Sequence, residues 1–312
     1  MRQNNGEITM HKTIRIFAIG ALLIGSGIAC AQPGGTLEKI KKTHAVTIGH
    51  RESSVPFSYY DRDQQVIGYA NDICLHVVEA IRQRLSMPDI KIVYAPVTSS
   101  NRIPLLANGT IDLECGSTAN LPDRWRQVAF SNTYFLTGTK FLAKKSSHLD
   151  TIASLKGSTV ASTAGTENLK YLHQANQKLG LDLNIIAAND HAEGFLMVET
   201  GRAAAFVLDD VLLASLIASS KDPDGYMISE EEFAPAVPYG VMVRRNDPEF
   251  KKLVDDATAQ LYRSPAMKAL YDKWFTSPIP PRDINLRLPM SKALARALAA
   301  PTDTSDLAHY SK

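Results

Sequence analysis

Hydrophobic and polar positions follow a repeating order of short apolar strand, small polar loop and helix. The apolar segment 45–49 is followed by a polar loop and then by a helix over 71–85, whose apolar residues recur at helical spacing: Ile73, Val77, Val78 and Ile81. Segment 158–179 repeats this design, with another helix N-terminus suited to an anion. The alternation predicts an α/β fold.

The same pattern predicts that the chain crosses between two lobes twice, near residues 137–139 and 237–239. The predicted layout is a signal peptide, a first lobe with a second lobe inserted into it, and a C-terminal tail: 1–31, 36–137 plus 239–285, 138–238, and 286–312. Two crossings form a hinge, so we expect closure around a ligand.

Two details of the second crossing and the tail are also predicted. The return to the first lobe is expected as one strand, Val237–Val243. The tail is expected to hold one weak helix, and its last dozen residues are expected to be disordered.

Composition narrows the functional classes. The chain has 312 residues, a net charge of +2 and 45% hydrophobic residues, which favours neither nucleic-acid binding nor a polybasic membrane role. No internal apolar run reaches the ~18 residues that a membrane helix needs.

The N-terminus predicts export. Lys12 and Arg15 precede the apolar run Ile16–Ile28, and the small residues Ala29 and Ala31 flank Cys30. This order is typical of a secretory signal, which we expect to be cleaved after Ala31. The alternative is a lipoprotein in which Cys30 is acylated.

Removal of that signal leaves two cysteines, Cys74 and Cys115. In an oxidising compartment the two can pair. We expect two buried free thiols and keep a disulfide as the alternative.

The stretch Leu113–Arg124, with the sequence LECGSTANLPDR, is the strongest candidate for a site. A strand runs into a small polar turn whose N–H groups can face outward, and Arg124 follows in what resembles the first turn of a helix. Open N–H groups and an arginine suit a carboxylate. The alternative is a surface turn with a solvated arginine.

Other candidates also lie at the ends of predicted elements. Arg51 follows the first strand, on the edge where open α/β sheets bind ligands. Arg102 lies in the first turn of a helix, where its charge is unfavourable and so hints at a role. Asp209 ends the apolar strand 203–208, and its alternative role is a helix cap. His191 precedes a helix, and an acidic ligand beside it would raise its pKa.

Four longer motifs carry a resemblance to a known family. The segments are HRESSVPFSYYD at 50–61, TSSNRIPLLANGTIDLECGST at 98–118, KDPD at 221–224 and KWFTSPIPP at 273–281. They resemble the periplasmic glutamate/aspartate-binding proteins of ABC transporters, within bacterial solute-binding protein family 3. The resemblance implies a two-lobed, Venus-flytrap fold of the type 2 periplasmic-binding class, with a mixed sheet flanked by helices in each lobe and a two-strand hinge.

The resemblance also implies a function. A monomer in the periplasm would bind an acidic L-amino acid between its lobes and deliver it to the membrane permease of an ABC importer. It implies no cofactor, catalytic residue or metal ligand, and no nucleic-acid partner.

The resemblance further implies a role for each site residue. Arg124 and the N–H groups around Ser117 and Ala119 would hold the α-carboxylate, and Asp209 the α-ammonium group. The side-chain carboxylate would meet Arg51, Arg102 and His191. Hydroxyl groups would add hydrogen bonds from Ser99, Ser117, Thr163 and Thr166.

This sequence departs from the family pattern at two positions. Ala119 and Glu167 each stand where the family has threonine. Loss of one hydroxyl at Ala119 predicts weaker affinity. The Glu167 carboxylate would either repel a ligand carboxylate or pair with one of the arginines.

Two alternatives to acidic amino-acid binding remain. One is a cyclohexadienyl or arogenate dehydratase-like enzyme on the same fold, with Glu167 and His191 as an acid–base pair. The other is a binding protein for a neutral amino acid such as glutamine. The sequence shows no metal-ligand spacing, phosphate loop or nucleophile motif that favours an enzyme.

Overall fold

The computed structural model describes residues 35–310. The predicted signal peptide and Cys30 lie outside this range. Within it, no helix is long and apolar enough to cross a membrane.

The described chain alternates between strands and helices in the predicted order. The strands are β1 Ala45–His50, β2 Ser53–Ser54, β3 Ser58–Tyr60, β4 Val66–Ile67, β5 Lys91–Pro96, β6 Leu113–Cys115, β7 Val128–Phe130, β8 Phe135–Lys144, β9 Thr159–Thr163, β10 Asn184–Ala188, β11 Ala205–Asp209, β12 Tyr226–Ile228, β13 Ala234–Tyr239 and β14 Met242–Arg244. The helices are α1 Thr36–Thr43, α2 Tyr69–Leu85, α3 Arg102–Ala107, α4 Glu167–Leu179, α5 His191–Glu199, α6 Asp210–Ala218, α7 Pro248–Tyr262, α8 Pro265–Tyr271 and α9 Lys292–Ala299.

Two larger sheets organise these elements, and a small sheet of β2, β3 and β4 lies apart. The first has the order β5-β1-β6-β14-β7, with β1 parallel to β5 and β6, and β14 antiparallel to its neighbours. The second has the order β10-β9-β11-β8-β12, and β13 also pairs with β8. Both sheets are mixed, which agrees with the expected architecture.

Strands β8 and β13 connect the two larger sheets. They pair antiparallel where the chain passes between the sheets, with Val237 opposite Thr137 and Tyr239 opposite Phe135. The expected single strand Val237–Val243 is wrong, because it divides into β13 and β14. The division falls at Gly240, whose N–H donates to the Thr118 carbonyl at 3.3 Å as the chain moves from one sheet to the other.

Aromatic rings fill the core beside these connecting strands. The Phe57 ring centroid lies 5.0 Å from that of Phe135 and 5.3 Å from that of Tyr239, and Phe135 stacks on Phe275 at 5.0 Å. All four side chains are buried. Aromatic pairs at such distances contribute about 0.5–1.5 kcal/mol beyond the area they bury, so they stabilise the core beside the connecting strands.

The expectation of two free thiols is wrong, because Cys74 and Cys115 form a disulfide. Helix α2 packs on β6 and brings the two Cα atoms to 6.3 Å, within the range that a disulfide spans. The bond ties α2 to the strand that leads into the candidate binding turn.

The expectation of a disordered C-terminus is wrong for the residues described. The Thr133 N–H donates to the Thr302 carbonyl at 2.9 Å, and Asn120 Nδ2 donates to the Asp303 carbonyl at 2.8 Å. The Tyr310 and Thr133 hydroxyls lie 2.7 Å apart. These bonds join polar and backbone groups far apart in sequence, so hydrophobic periodicity gives no sign of them.

Candidate functional site

Arg124 follows the polar turn after β6 and lies in a short 3₁₀ turn, Arg124–Arg126, instead of the expected helix. Its Nη1 donates to the Ala119 carbonyl at 2.6 Å, and its Nη2 donates to Glu167 Oε2 at 2.9 Å. Both side chains are buried. The ion pair therefore joins the loop after β6, a strand of the first sheet, to helix α4, which packs on the second sheet.

Glu167 is the first residue of α4, where a negative charge is stabilised by the helix dipole. Thr166 caps the same helix, because its hydroxyl oxygen accepts a hydrogen bond from the Leu169 N–H at 3.3 Å. The structure thus pairs Glu167 with Arg124, and neither Arg51 nor Arg102 forms an ion pair with it among the described residues.

Arg102 begins α3, as expected, and supports the polar turn from behind. Its Nη1 donates to the Ser117 carbonyl at 3.1 Å and to Thr118 Oγ1 at 2.6 Å, and Thr118 in turn donates to Glu114 Oε2 at 2.7 Å. Burial lowers the pKa of Arg102, while the negative charge of Glu114 raises it. One role of Arg102 is therefore to fix the conformation of the polar turn that follows β6.

Arg51 and His191 meet from the two sheets. The Arg51 backbone N–H donates to Ser58 Oγ at 2.9 Å, and Arg51 Nη2 lies 3.5 Å from His191 Nε2. Because arginine only donates, Nε2 accepts and Nδ1 carries the proton, which it donates to Thr163 Oγ1 at 2.9 Å.

Burial has the largest effect on the protonation states of Arg51 and His191. Burial, then the charge of Arg102, lowers the pKa of Arg51 to about 10. Burial, then the charges of Arg51 and Arg102, lowers the pKa of His191 well below its usual value. At neutral pH the arginine is therefore charged and the imidazole is neutral.

Asp209 ends β11 and precedes α6, but its side chain does not cap that helix. Asp210 supplies the acceptor for the Val211 N–H instead, at 2.7 Å. Asp209 Oδ2 accepts from Asn168 Nδ2 at 3.1 Å. Burial, then the charge of Glu167, raises the pKa of Asp209 to about 8. The alternative role as a cap is not the one that the structure shows.

Buried polar atoms without a hydrogen-bond partner concentrate at this place. Across residues 35–310, eight side-chain atoms are of this kind, and six belong to the cluster: Arg51 Nη1, Ser99 Oγ, Arg102 Nε, Glu114 Oε1, Asp209 Oδ1 and the Tyr239 hydroxyl, of which the last two belong to side chains that interact with each other. Unsatisfied buried groups are rare in folded proteins and mark functional sites.

The structure brings the expected residues together around two loops. Arg51, Thr163 and His191 form one group, and Ala119, Arg124 and Glu167 form another, with Ser117 on Arg102 and Thr166 at the cap of α4. The loop between β5 and α3 and the loop between β9 and α4 lie in close contact, since a Cβ atom on Gly165 would lie 2.6 Å from the Ser100 Cα atom. Asp209 accepts a hydrogen bond from Asn168, which lies in α4.

Sequence reasoning missed Tyr239, Glu114, Thr118 and Asn168. Tyr239 and Glu114 lie in short, largely apolar strands that suggest core positions, and Asn168 lies inside a helix. The one available signal is Glu114, a charged residue in an otherwise apolar strand, since buried charges are almost always paired.

Comparison with known proteins identifies the class. Residues 46–277 match the bacterial extracellular solute-binding proteins, family 3, and the chain belongs to this family. The prediction made from the sequence motifs is thereby confirmed.

Two curated relatives match over nearly their whole length. The chain is 45% identical to the L-glutamate/L-aspartate-binding protein of Pseudomonas aeruginosa over 287 residues, which cover 92% of this chain and 95% of that protein. It is 43% identical to the glutamate/aspartate import solute-binding protein of Escherichia coli over 291 residues, with 92% and 96% covered. These relatives are binding proteins, which confirms the prediction that the chain is not an enzyme.

Solved structures confirm the two-lobed α/β fold. A mutant of ArgBP from T. maritima matches with a TM-score of 0.68 at 23% identity, over 76% of this chain and 98% of that one. The ancestral amino acid-binding protein AncCDT-1, a precursor of cyclohexadienyl dehydratase, matches with a TM-score of 0.66 at 26% identity, over 77% and 100%.

Proposed function

We propose that this protein is the solute-binding component of an ABC importer and binds an acidic L-amino acid, glutamate or aspartate. The names of the curated relatives support this ligand class. The observation that carries the proposal is a buried cluster that contains three arginines, Arg51, Arg102 and Arg124, together with a buried acid, Asp209.

Each charged group of the site binds the part of the ligand that carries the opposite charge. Arg124 and the N–H groups near Ser117 and Ala119 hold the α-carboxylate, for which an arginine fork is well suited. Asp209 holds the α-ammonium group. The side-chain carboxylate takes Arg51 Nη1 and Ser99 Oγ, both unpartnered, and Arg102 adds its charge nearby.

The other groups at the site act through these. Neutral His191 donates to Thr163 and orients Arg51, so that two arginine charges, rather than three positive groups, face the side-chain carboxylate. Thr166 places Glu167 at the start of α4.

The remaining parts of the proposal concern the whole protein. The lobes consist of 36–137 plus 239–285 and of 138–238, and the ligand lies in the cleft between them. The protein is exported by the signal at 1–31, without lipid at Cys30, and acts as a periplasmic monomer that meets the permease subunits. Mass spectrometry of the mature chain tests this, because we expect it to begin at Gln32.

Calorimetric titration of ligand-free protein tests the ligand class. We expect L-glutamate or L-aspartate to bind at least about tenfold more tightly than L-glutamine and L-asparagine, a difference of about 1.4 kcal/mol. Asp209→Ala should weaken the binding of every α-amino acid by about 2–5 kcal/mol, because the ammonium group of the ligand loses a charged partner. Tighter binding of glutamine than of glutamate by the wild type would contradict the proposal.

A further inference from the structure

Glu167 already gives Arg124 a carboxylate partner. Nη2 donates to Glu167 Oε2 at 2.9 Å and Nη1 to the Ala119 carbonyl at 2.6 Å, so each terminal nitrogen has an acceptor. Arg124 is 8% exposed and Glu167 4%. The Glu167 carboxylate is also favoured by its place at the N-terminus of α4.

Arg124 has further N–H groups, but an α-carboxylate that binds at Nη2 competes with the Glu167 carboxylate and displaces it from there. Glu167 then lies buried beside the ligand's own α-carboxylate. A buried charge without a partner is costly, so displacement opposes the binding of all α-amino acids, whatever their side chain.

The polar atoms that still lack partners describe a different ligand. The side chains of Asp209 and Tyr239 interact with each other and together suit an ammonium group, whereas Arg51 Nη1 and Ser99 Oγ suit a carboxylate. The other two, Arg102 Nε and Glu114 Oε1, belong to the side chains that hold the binding turn. A molecule with one ammonium and one distant carboxylate satisfies these atoms and leaves Arg124 and Glu167 paired.

We propose that the site also binds ω-amino acids, with Glu167 replacing the α-carboxylate of the ligand at Arg124. γ-Aminobutyrate is glutamate without its α-carboxylate, and β-alanine is aspartate without it, so each keeps the parent's spacing between nitrogen and distal carboxylate. The inference rests on the proposed function, which assigns Asp209 to the ammonium group and Arg51 to the distal carboxylate.

Titration of the wild-type protein is the first test. We expect γ-aminobutyrate or β-alanine to bind with a Kd no more than tenfold above that of the corresponding acidic amino acid. Butyrate and butylamine each carry only one of the two charges, and neither should bind. Binding of butyrate alone would reduce the site to a simple anion site and overturn the inference.

Glu167→Gln provides the decisive comparison. In the variant, an ω-amino acid leaves Arg124 buried without a carboxylate, whereas an α-amino acid meets no competitor. We expect γ-aminobutyrate to bind at least tenfold more weakly and glutamate at least tenfold more tightly. Opposite changes in one protein cannot result from impaired folding.

Asp123→Asn is the matched control. Asp123 pairs with Lys170 of α4 at 3.2 Å across the same boundary, but this pair is exposed. The same change of carboxylate to amide should alter both affinities less than twofold.

The outcomes separate the two proposals. Wild-type binding of glutamate without either ω-amino acid overturns this inference and leaves the proposed function intact. Binding of ω-amino acids but of neither glutamate nor aspartate overturns the proposed ligand class and leaves this inference intact. Weaker binding of both classes by Glu167→Gln would show that Glu167 only positions Arg124, and that would also overturn the inference.

Discussion

Asp209 lies in surroundings that oppose its negative charge. It is 3% exposed, and burial and the nearby Glu167 raise its pKa from 3.8 to about 8. In the unfolded chain the group ionises near pH 4, while in the folded protein it keeps its proton up to about pH 8. Between these values folding takes up a proton, so the free energy of unfolding falls as pH rises, and above pH 8 this contribution is constant.

Asp209→Asn should remove this pH dependence in the ligand-free protein. Asparagine keeps an oxygen that accepts from Asn168, and it carries no charge. We expect the variant to gain stability over the wild type from pH 4 upward, and the difference to reach on the order of 5 kcal/mol at pH 8, because each unit of pKa shift corresponds to about 1.4 kcal/mol. Urea unfolding at several pH values measures it. Parallel curves for the two proteins would contradict the expected shift.

Single residues differ in how far the sequence reveals them. Arg51, Arg102 and Asp209 follow from their places at the ends of predicted elements, since ligands bind at those ends in open α/β sheets. The partner of Glu167 does not follow, because Arg124 is 43 positions away and reaches it across the boundary between two sheets. Tyr239 was missed because its strand is apolar.

Among the secondary-structure elements, the disulfide determines how α2 lies on β6. Cys74 and Cys115 are separated by 41 positions, and β6 leads directly into the turn that Arg102 and Tyr134 hold through the Ser117 and Gly116 carbonyls. A bond that closes a loop of this length stabilises a protein by about 4 kcal/mol in the chain-entropy description.

Replacement of both cysteines by alanine should therefore lower the free energy of unfolding by about 4 kcal/mol. Reduction of the wild type with a thiol should have a similar effect, and it serves as a control for the small change in packing. Thermal unfolding of oxidised, reduced and substituted protein measures the difference. Equal stability of oxidised and reduced wild type would contradict this role of the disulfide.

Elements with strong periodicity were predicted well from sequence, and those set by distant polar contacts were not. Helix α2 and strand β1 follow from apolar spacing. The break between β13 and β14 depends on hydrogen bonds from Gly240 to Thr118 and from Ser131 to Val241, which no local pattern encodes. The C-terminal segment is fixed by the same kind of contact.

At the scale of the whole molecule, the C-terminal segment supports the hinge. It bonds to Thr133, which precedes β8, and to Asn120, whose N–H donates to the Pro238 carbonyl of β13 at 2.7 Å. Both connecting strands are thus linked to a segment that is distant in sequence. The segment therefore stabilises the region about which the lobes are expected to move.

Truncation after Ala300 should weaken this region. Three hydrogen bonds to Thr133 and Asn120 are lost, for which we expect about 1–3 kcal/mol of destabilisation. Faster hydrogen exchange of the Thr133 amide would locate the effect. Asp303→Asn removes only the ion pair with Lys251 and should change little. An unchanged Thr133 amide after truncation would contradict the support role.

We expect closure of the two lobes to require that residue 165 has no side chain. A Cβ atom there would lie 2.6 Å from Ser100 Cα and 2.7 Å from the Ser99 carbonyl carbon, and both are backbone atoms that cannot yield as a side chain does. Gly165→Ala should therefore keep the loops apart and abolish ligand binding. We expect small-angle scattering to show no compaction of the variant with glutamate.

Gly201→Ala separates this clash from backbone strain. Gly165 has a φ of +76° and Gly201 a φ of +75°, so alanine at either position carries the same cost, about 1–2 kcal/mol. A Cβ atom on Gly201 meets nothing within 4 Å. We therefore expect equal losses of stability in the two variants but near-native affinity only in Gly201→Ala. If Gly165→Ala also binds normally, the contact between the two loops is not required for the bound state.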